Sequence, residues 1–424
     1  MFDICSYNVR VTLTEVGCRA MTLTTLFLDM NAYFASVEQQ MNPELRGRPI
    51  AIAPVMADTS CCIAASYEAK AFGVKTGTGI GEARRRCPQL VIIHARPEEY
   101  VKMHHRIIEA VEKCLPVAEV CSIDEMYCRL MGEEKQKPRA LELARQIKES
   151  IYTNVGSSLR CSVGVAPNKF LAKVATNLQK PDGLVIIEKD DLPEKLYPLE
   201  LSVLPGIGRA MARRLHNRGV GSVEQLCALT EDEMASIWDS VIGRRWWRWL
   251  RGIDLREDPV HRRTVGHSHV LPPDYRTDAG ARAVLIRLLT KAAMRLRSIG
   301  YWARRLHVSV RYRDGGGWGA DAPLGCCQDT FTMLEAFATV WEKRPRDLPP
   351  FVVGVTLEKL VERHFAPLPL FPDERRRLRL SQVMDIVNTR YGRKMIYFGA
   401  MHNAIDSAPM RISFTSIPDL DLQA

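Results

Sequence analysis

Hydrophobic and polar positions along the chain alternate between two periods. Leu26-Phe27-Leu28 is an unbroken apolar run that closes on Asp29, and 21–29 reads as a buried strand. From Asn31 to Gln40 the apolar positions follow the spacing of one helical face. Short strand-like runs recur at 49–54, 121–127 and 161–166, and 60–70 passes from strand into helix. Helical patterns cover 82–87, 98–115, 139–153 and 169–177. The order strand, helix, strand, strand, helix, strand predicts a ferredoxin-like sheet. Further on, Leu204-Pro205-Gly206-Ile207-Gly208 opens a helix that runs to Arg218 and stops at Gly219. A helix over 237–252 carries Trp246, Trp247 and Trp249, which suit the core of a small helical domain. The charged, irregular stretch 251–263 reads as a linker. It leads to a strand at 265–271, a helix at 278–298, a strand at 304–312, a glycine turn at 315–317, a helix at 330–342 and a strand at 351–360. A helix at 380–391 and a strand at 395–399 follow, and 409–424 reads as weakly ordered. The fold class is α+β and multidomain.

Composition narrows this only a little. A chain of 424 residues can form two to four domains with real cores. A net charge of +10 favours a polyanionic partner. The 12 cysteines are scattered, include Cys61-Cys62 and Cys326-Cys327, and show no C-x-x-C, so they read as reduced, packed thiols. Cys114, Cys121 and Cys128 recur at sevens without the histidines that would complete a zinc site. No apolar run has the length of a membrane span. Residues 1–20 are broken by Asp3, Arg10, Glu15 and Arg19 and lack the core of a signal peptide. A cytoplasmic protein with no membrane partner is expected.

The candidate chemistry centres on acids. Asp124 and Glu125 lie side by side in the apolar run 121–127. Neighbours on a strand face opposite ways, so the pair shares a cleft only if the chain bends there. Buried carboxylates need a positive partner. A divalent cation provides one; a surface turn that leaves both acids in water is the other reading of this stretch. Asp29 ends a second buried run far away in sequence, and hard cations such as magnesium take carboxylate and carbonyl oxygens. Two such ions about 3.5–4 Å apart clamp the attacking and leaving oxygens of a phosphoryl transfer. Tyr67 and Lys70, three residues apart, share a helical face, which is either solvated or a ligand pair. Gly73-Val74-Lys75-Thr76-Gly77-Thr78-Gly79-Ile80 lacks the P-loop pattern. Gly206 and Gly208 either free N–H groups at a helix start for a DNA phosphate or make a tight helix–helix turn.

The stretches Asp29-Met30-Asn31-Ala32-Tyr33-Phe34-Ala35-Ser36-Val37-Glu38, Ser66-Tyr67-Glu68-Ala69-Lys70, Ser122-Ile123-Asp124-Glu125, Ser162-Val163-Gly164-Val165-Ala166-Pro167-Asn168-Lys169 and Lys180-Pro181-Asp182-Gly183 follow one another in this order. Together they resemble the Y-family translesion DNA polymerases of the bacterial DinB and UmuC type. The resemblance runs from Met21, where the family's chain usually begins, to about residue 400. Residues 1–20 then read as an extension or a misassigned start.

The resemblance implies a right-hand polymerase. Its palm would be 21–32 and 95–185, its fingers 33–94, its helix-hairpin-helix thumb 186–255, its linker 256–264, its β-rich little finger 265–365 and its tail 366–424. It implies two magnesium (Mg2+) ions on Asp29, Asp124, Glu125 and the Met30 carbonyl. Phe34 would be a steric gate against the sugar, where the residues alone favour an ordinary core aromatic. Tyr67, Lys70 and Lys180 would hold the triphosphate, with Lys173 near the cleft. Lys70 stands where most members carry arginine, and Gly79 where a proline is usual. Primer-template DNA and deoxynucleoside triphosphates are the implied partners of a monomer. DNA contacts fall to Gly206, Gly208, Arg304, Arg305, Arg311 and Arg313, and Arg282, Arg287, Lys291, Arg295 and Arg297 could border the same groove. Pro367-Leu368-Pro369-Leu370-Phe371 resembles the peptide that binds the sliding clamp, with Pro367 in place of the usual glutamine. Leu368, Leu370 and Phe371 would dock, unless they pack back onto the chain. The activity implied is error-prone DNA synthesis past damaged bases, without proofreading. A catalytically silent ImuB-like adaptor and a nucleotidyl cyclase are the rivals.

Overall fold

A computed structural model describes residues 23–58, 60–255, 262–392, 394–407 and 417. The expectations for 1–20, for 256–261 of the linker and for 409–424 other than Ile417 fall outside the described residues. The chain forms two compact units, 1–257 and 258–424.

In the first unit β1 (Thr25–Met30) leads into α1 (Tyr33–Met41). A small sheet follows, made of β2 (Ile50–Ala53), β3 (Ala64–Ala65) and β4 (Val91–His94). With it go α2 (Tyr67–Lys70) and α3 (Ile80–Arg86), and then α4 (Pro97–Glu112). The chain returns through β5 (Val117–Val120), β6 (Glu125–Arg129), α5 (Lys137–Asn154), β7 (Cys161–Ala166), α6 (Lys169–Leu178) and β8 (Leu184–Ile186). The main sheet has the order β5-β6-β1-β7-β8, with β1 antiparallel to both neighbours, as a ferredoxin-like sheet requires. All six residues of β1 are buried, which explains its continuous apolar run.

Alternation places Phe27 and Asp29 of β1 on one face and Leu26 and Leu28 on the other. α6 covers the Phe27 face, where Lys169 lies over the Tyr127 ring and Lys173 over Phe27. Gly164 lets this helix approach: a Cβ there would stand 2.1 Å from the Ala172 carbonyl. A short helical domain follows, with α7 (Arg209–His216), α8 (Val223–Ala228), α9 (Glu231–Trp238) and α10 (Val241–Trp249). The single helix expected over 237–252 is two, because Asp239 turns left-handed at φ 52° and the Ser240 hydroxyl caps the next helix. The tryptophans do close the core: Trp246 is buried, and Phe170 meets Trp246 edge-on and stacks on Trp249.

The second unit has an antiparallel sheet of β9 (Thr264–Val270), β10 (Tyr301–Tyr312), β11 (Gly317–Cys327) and β12 (Pro350–Glu358), in the order β11-β10-β12-β9. A short β13 (Val361–Glu362) pairs with the start of β10. α11 (Asp278–Ser298) and α12 (Thr330–Trp341) supply Leu285, Leu289, Phe337 and Trp341 to its core. β11 escaped the sequence pattern because an edge strand of glycine and small residues, with Pro323 tolerated, has only one apolar side. α13 (Pro372–Tyr391) starts earlier than expected. The run 395–399 is not a strand: the Asn388 side chain takes both the N–H and the carbonyl of Ile396.

Candidate active site

The acidic stretches meet through strand register. β1 and β6 pair so that Asp29 stands directly opposite Glu125, on the face beneath α6. The run 121–127 is not one strand, however. Residues 122–124 bend, and the Cys121 and Ser122 N–H groups both donate to the Glu125 carbonyl. That bend is what lets neighbouring acids serve one cleft. His104, buried on α4, holds it: Nδ1 lies 2.8 Å from the Ile123 carbonyl. A carbonyl only accepts, so Nδ1 carries the proton. Burial pushes the imidazole down to about 4, which keeps it neutral. The Met30 N–H donates to the Asp124 carbonyl at 2.8 Å, tying the ends of the two stretches together.

Asp124 accepts a 2.5 Å hydrogen bond from the Ser122 hydroxyl. Burial pushes its carboxyl up to about 6, and the charges of Glu125 and Asp29 add to the rise. Lys173 projects from α6 between the other two acids, paired with Asp29 and 2.8 Å from Glu125. Burial opposes its charge, but the two carboxylates together hold its pKa above the ordinary lysine value. Lys180 reaches Asp29 at 2.8 Å. Its turn is pinned from both sides: Asn31 Oδ1 accepts from the Asp182 N–H, and Lys148 Nζ donates to the Asp182 carbonyl.

Among the described residues no three His, Cys, Asp or Glu side chains gather into a metal cage. The two lysines stand among the acids and balance their charge. The donor set of three carboxylates and a backbone carbonyl nevertheless has the oxygen chemistry that a hard divalent cation takes.

Tyr67 and Lys70 share their helix face, with Lys70 Nζ 4.1 Å from the Tyr67 ring centre. Desolvation and the charge on Asp29 raise the Tyr67 hydroxyl. Desolvation and the like charge of Lys180 lower the Lys70 ammonium, against the pull of Asp29. Tyr67, Lys70 and Lys180 therefore converge on the Asp29 end of the cleft. Phe34 is buried and stacks on Tyr100, with ring centres 4.6 Å apart. Lys173, His104 and Tyr100 carry more of this site than the sequence showed. Lys173 was legible only as a lysine near the cleft, and nothing local marked the other two.

In the helical domain Gly206 takes φ +101°, and a side chain there would press on Trp246. Gly208 caps α7 with open space around it. In the second unit Arg311 and Arg313 are exposed, as is Arg304 beside a bulge in β10. Arg305 is committed to Glu358 and Asp321. Two expected groove arginines are structural: Arg287 is buried on the Ala404 carbonyl, and Arg297 grips Asp385 with two hydrogen bonds. Leu368, Leu370 and Phe371 are 80%, 78% and 65% exposed, and they line one groove with Trp302, Leu324 and Leu378.

Comparison with known proteins agrees with this fold. Residues 28–177 match the impB/mucB/samB family, 262–370 match its C-terminal domain and 189–220 its HHH motif. A DNA polymerase IV of Moorella thermoacetica is 34% identical over 380 residues, covering 88% of this chain and 94% of the relative. A DNA polymerase IV 1 of Bacillus subtilis is 30% identical over 404 residues, covering 91% and 95%. A solved Y-family DNA polymerase chimaera superposes with a TM-score of 0.68 at 25% identity, over 80% of this chain and 99% of that one. An insertion ternary complex of Dbh DNA polymerase gives 0.57 at 25% identity, with the same coverage. Fold and site together define a right-hand, DNA-directed DNA polymerase of the translesion type. The chain belongs to the Y-family of DNA polymerases, the impB/mucB/samB family, with DNA polymerase IV proteins among its relatives.

The raised Asp124 pKa has a measurable consequence. Between 3.8 and about 6 the folded metal-free chain binds more protons than the unfolded one, so this group's effect on stability worsens as pH rises through that window. Asp124→Asn removes the penalty. In EDTA the variant should be the more stable at pH 8, by on the order of 1–2 kcal/mol, and the gap should close towards pH 4. Thermal melts across pH check this; a gap that does not change with pH would contradict it.

Proposed function

We propose that this polymerase extends a DNA primer past damaged template bases without proofreading, using the Asp29, Asp124 and Glu125 cleft. Divalent metal dependence is general to its family; the finer reading is two magnesium ions held by the three carboxylates and the Met30 carbonyl. Bound there, they supply neutralisation of the charge that develops on the reacting phosphate. The chain's own residues do the positioning. Tyr67, Lys70 and Lys180 cradle the triphosphate of the incoming deoxynucleotide. The primer 3′-oxygen attacks the α-phosphorus in line, its proton is lost to solvent or base, and pyrophosphate leaves. Phe34 walls off the sugar. The Gly206–Gly208 turn and the exposed Arg304, Arg311 and Arg313 hold DNA phosphates.

One observation carries this reading: three cationic or hydroxyl side chains converge on the acid cluster, with Lys70 and Lys180 close enough to repel. Once a divalent cation takes Asp29, Lys180 loses that partner, and Lys70 and Lys180 then face one cleft as a site for a polyanion. Primer extension with magnesium and four deoxynucleotides tests it. Extension that depends on template and stops in EDTA is expected; a silent adaptor would extend nothing.

The exposed Leu368, Leu370 and Phe371 support sliding-clamp docking, because an extended, proline-stiffened segment loses little entropy on binding. Replacing Leu370 and Phe371 by alanine should remove at least about tenfold of any clamp stimulation of processivity, since tethering multiplies a weak contact. Activity on bare primer-template should stay unchanged. Clamp stimulation that survives the double change would sink the idea, and a loss on bare DNA would point to packing.

A further inference from the structure

Behind Phe34 lies a buried polar cluster that takes no part in holding metal or triphosphate. Tyr100, on α4, is fully buried and stacks on Phe34 at 4.6 Å between ring centres, with 22° between the planes. Its hydroxyl donates to Glu38 Oε1 at 2.8 Å. Its carbonyl accepts from the Tyr33 hydroxyl at 2.6 Å. Glu38 lies one turn beyond Phe34 on α1 and is 1% exposed. Arg96, the N-cap of α4, grips it with both Nε and Nη2.

A buried carboxylate is costly unless paired and hydrogen-bonded, and hydrophobic residues would serve packing alone at least as well. Here the carboxylate has three donors: two from Arg96 hold Glu38 in place, and the third is the Tyr100 hydroxyl, whose acceptor is thereby fixed. Burial raises the Tyr100 hydroxyl pKa far above the working range, so it stays a donor. Phe34 and Glu38 are four apart on one helix, so the side chain that anchors Tyr100 rises from the same face as the ring Tyr100 supports. A leucine in place of Tyr100 would give Phe34 a soft backing with several rotamers. The stacked, hydrogen-bonded ring gives a flat plate with one position.

We propose that the Arg96–Glu38–Tyr100 relay is a positioning device for the nucleotide sugar, setting how far the Phe34 ring projects and so how strictly a ribose hydroxyl is refused. The proposal rests on the reading of Phe34 as the steric gate. Its residues touch no substrate atom and act through Phe34.

The test compares kcat/KM for dCTP and CTP opposite a template guanine, with the full chain and DNA primer-template. The variants are Tyr100→Leu, Tyr100→Phe, Glu38→Gln, Phe34→Ala and the double change Phe34→Ala with Tyr100→Leu. A ring displaced by about 1 Å is enough for a tenfold or larger change in geometry-dependent rates, so Tyr100→Leu should narrow the dCTP-to-CTP ratio by at least about tenfold. The change should come mainly from a lower KM for CTP, with dCTP kcat/KM within about threefold of the parent. Tyr100→Phe, which keeps the ring but loses the anchor, and Glu38→Gln should narrow the ratio in the same direction; they carry the test if Tyr100→Leu does not fold. In the Phe34→Ala background Tyr100→Leu should change the ratio no further, because its route of action is gone.

Equal losses for both nucleotides would make the cluster merely structural and overturn the proposal. A further drop in the double variant would also overturn it, by showing a route that bypasses Phe34. If Phe34→Ala alone leaves the ratio unchanged, the gate reading falls, and the proposal with it. If Phe34→Ala collapses the ratio while the Tyr100 and Glu38 variants do not move it, only the proposal falls.

Discussion

Changing Asp124 to alanine is expected to lower primer extension by at least about a thousandfold, while the protein still folds and still binds primer-template DNA. The acid stands at the end of the 122–124 bend, with Glu125 and Asp29 near enough to raise its pKa. Its role in this reading is to hold the charge that neutralises the reacting phosphate. Losing several kcal/mol of such stabilisation corresponds to three or more powers of ten in rate. Folding should survive because the side chain makes one local bond, to Ser122, and its ionised form opposes the fold. Single-turnover extension and a DNA-binding titration, run side by side, check the two halves. A variant that extends at a comparable rate would remove Asp124 from the site. One that loses DNA binding as well would show a structural defect.

The second large effect concerns the sugar. Phe34→Ala should raise use of ribonucleotides relative to deoxynucleotides by about a hundredfold, the scale on which a shaped site refuses an added hydroxyl. Deoxynucleotide kcat/KM should fall much less. Because Phe34 is buried against Tyr100, the same change opens a cavity and should cost about 3–5 kcal/mol of stability. The two readouts separate the two roles. Lower stability with unchanged selectivity would leave Phe34 as a core aromatic and nothing more. Competition assays with paired dCTP and CTP, together with a denaturant melt, decide between them.

Much of the fold was legible because its signals are local. β1 is apolar at nearly every position since both its faces are covered, and α4, α5 and α6 show a helical period because one face of each meets the sheet. The failures have local causes too. β11 is an edge strand of small residues, the α9–α10 break depends on one left-handed residue, and the 395–399 run is claimed by the Asn388 amide.

The sequence by itself determined which acids end buried runs, where a glycine-opened helix begins and which family the motifs resemble. Each is a property of residue type and spacing along the chain. Tertiary structure alone decided that Asp29 faces Glu125, because register is set by long-range strand pairing. It alone decided that the chain bends at 122–124, because the Ile123 carbonyl has a partner on α4, in the buried His104. It put Lys173 between two carboxylates, buried Arg287 and Arg297 against internal partners, and paired the half-exposed Arg305 with Glu358 and Asp321. A charge read from sequence has a sign but no neighbour, and whether it meets a ligand, a carboxylate or water is settled only when distant segments pack together.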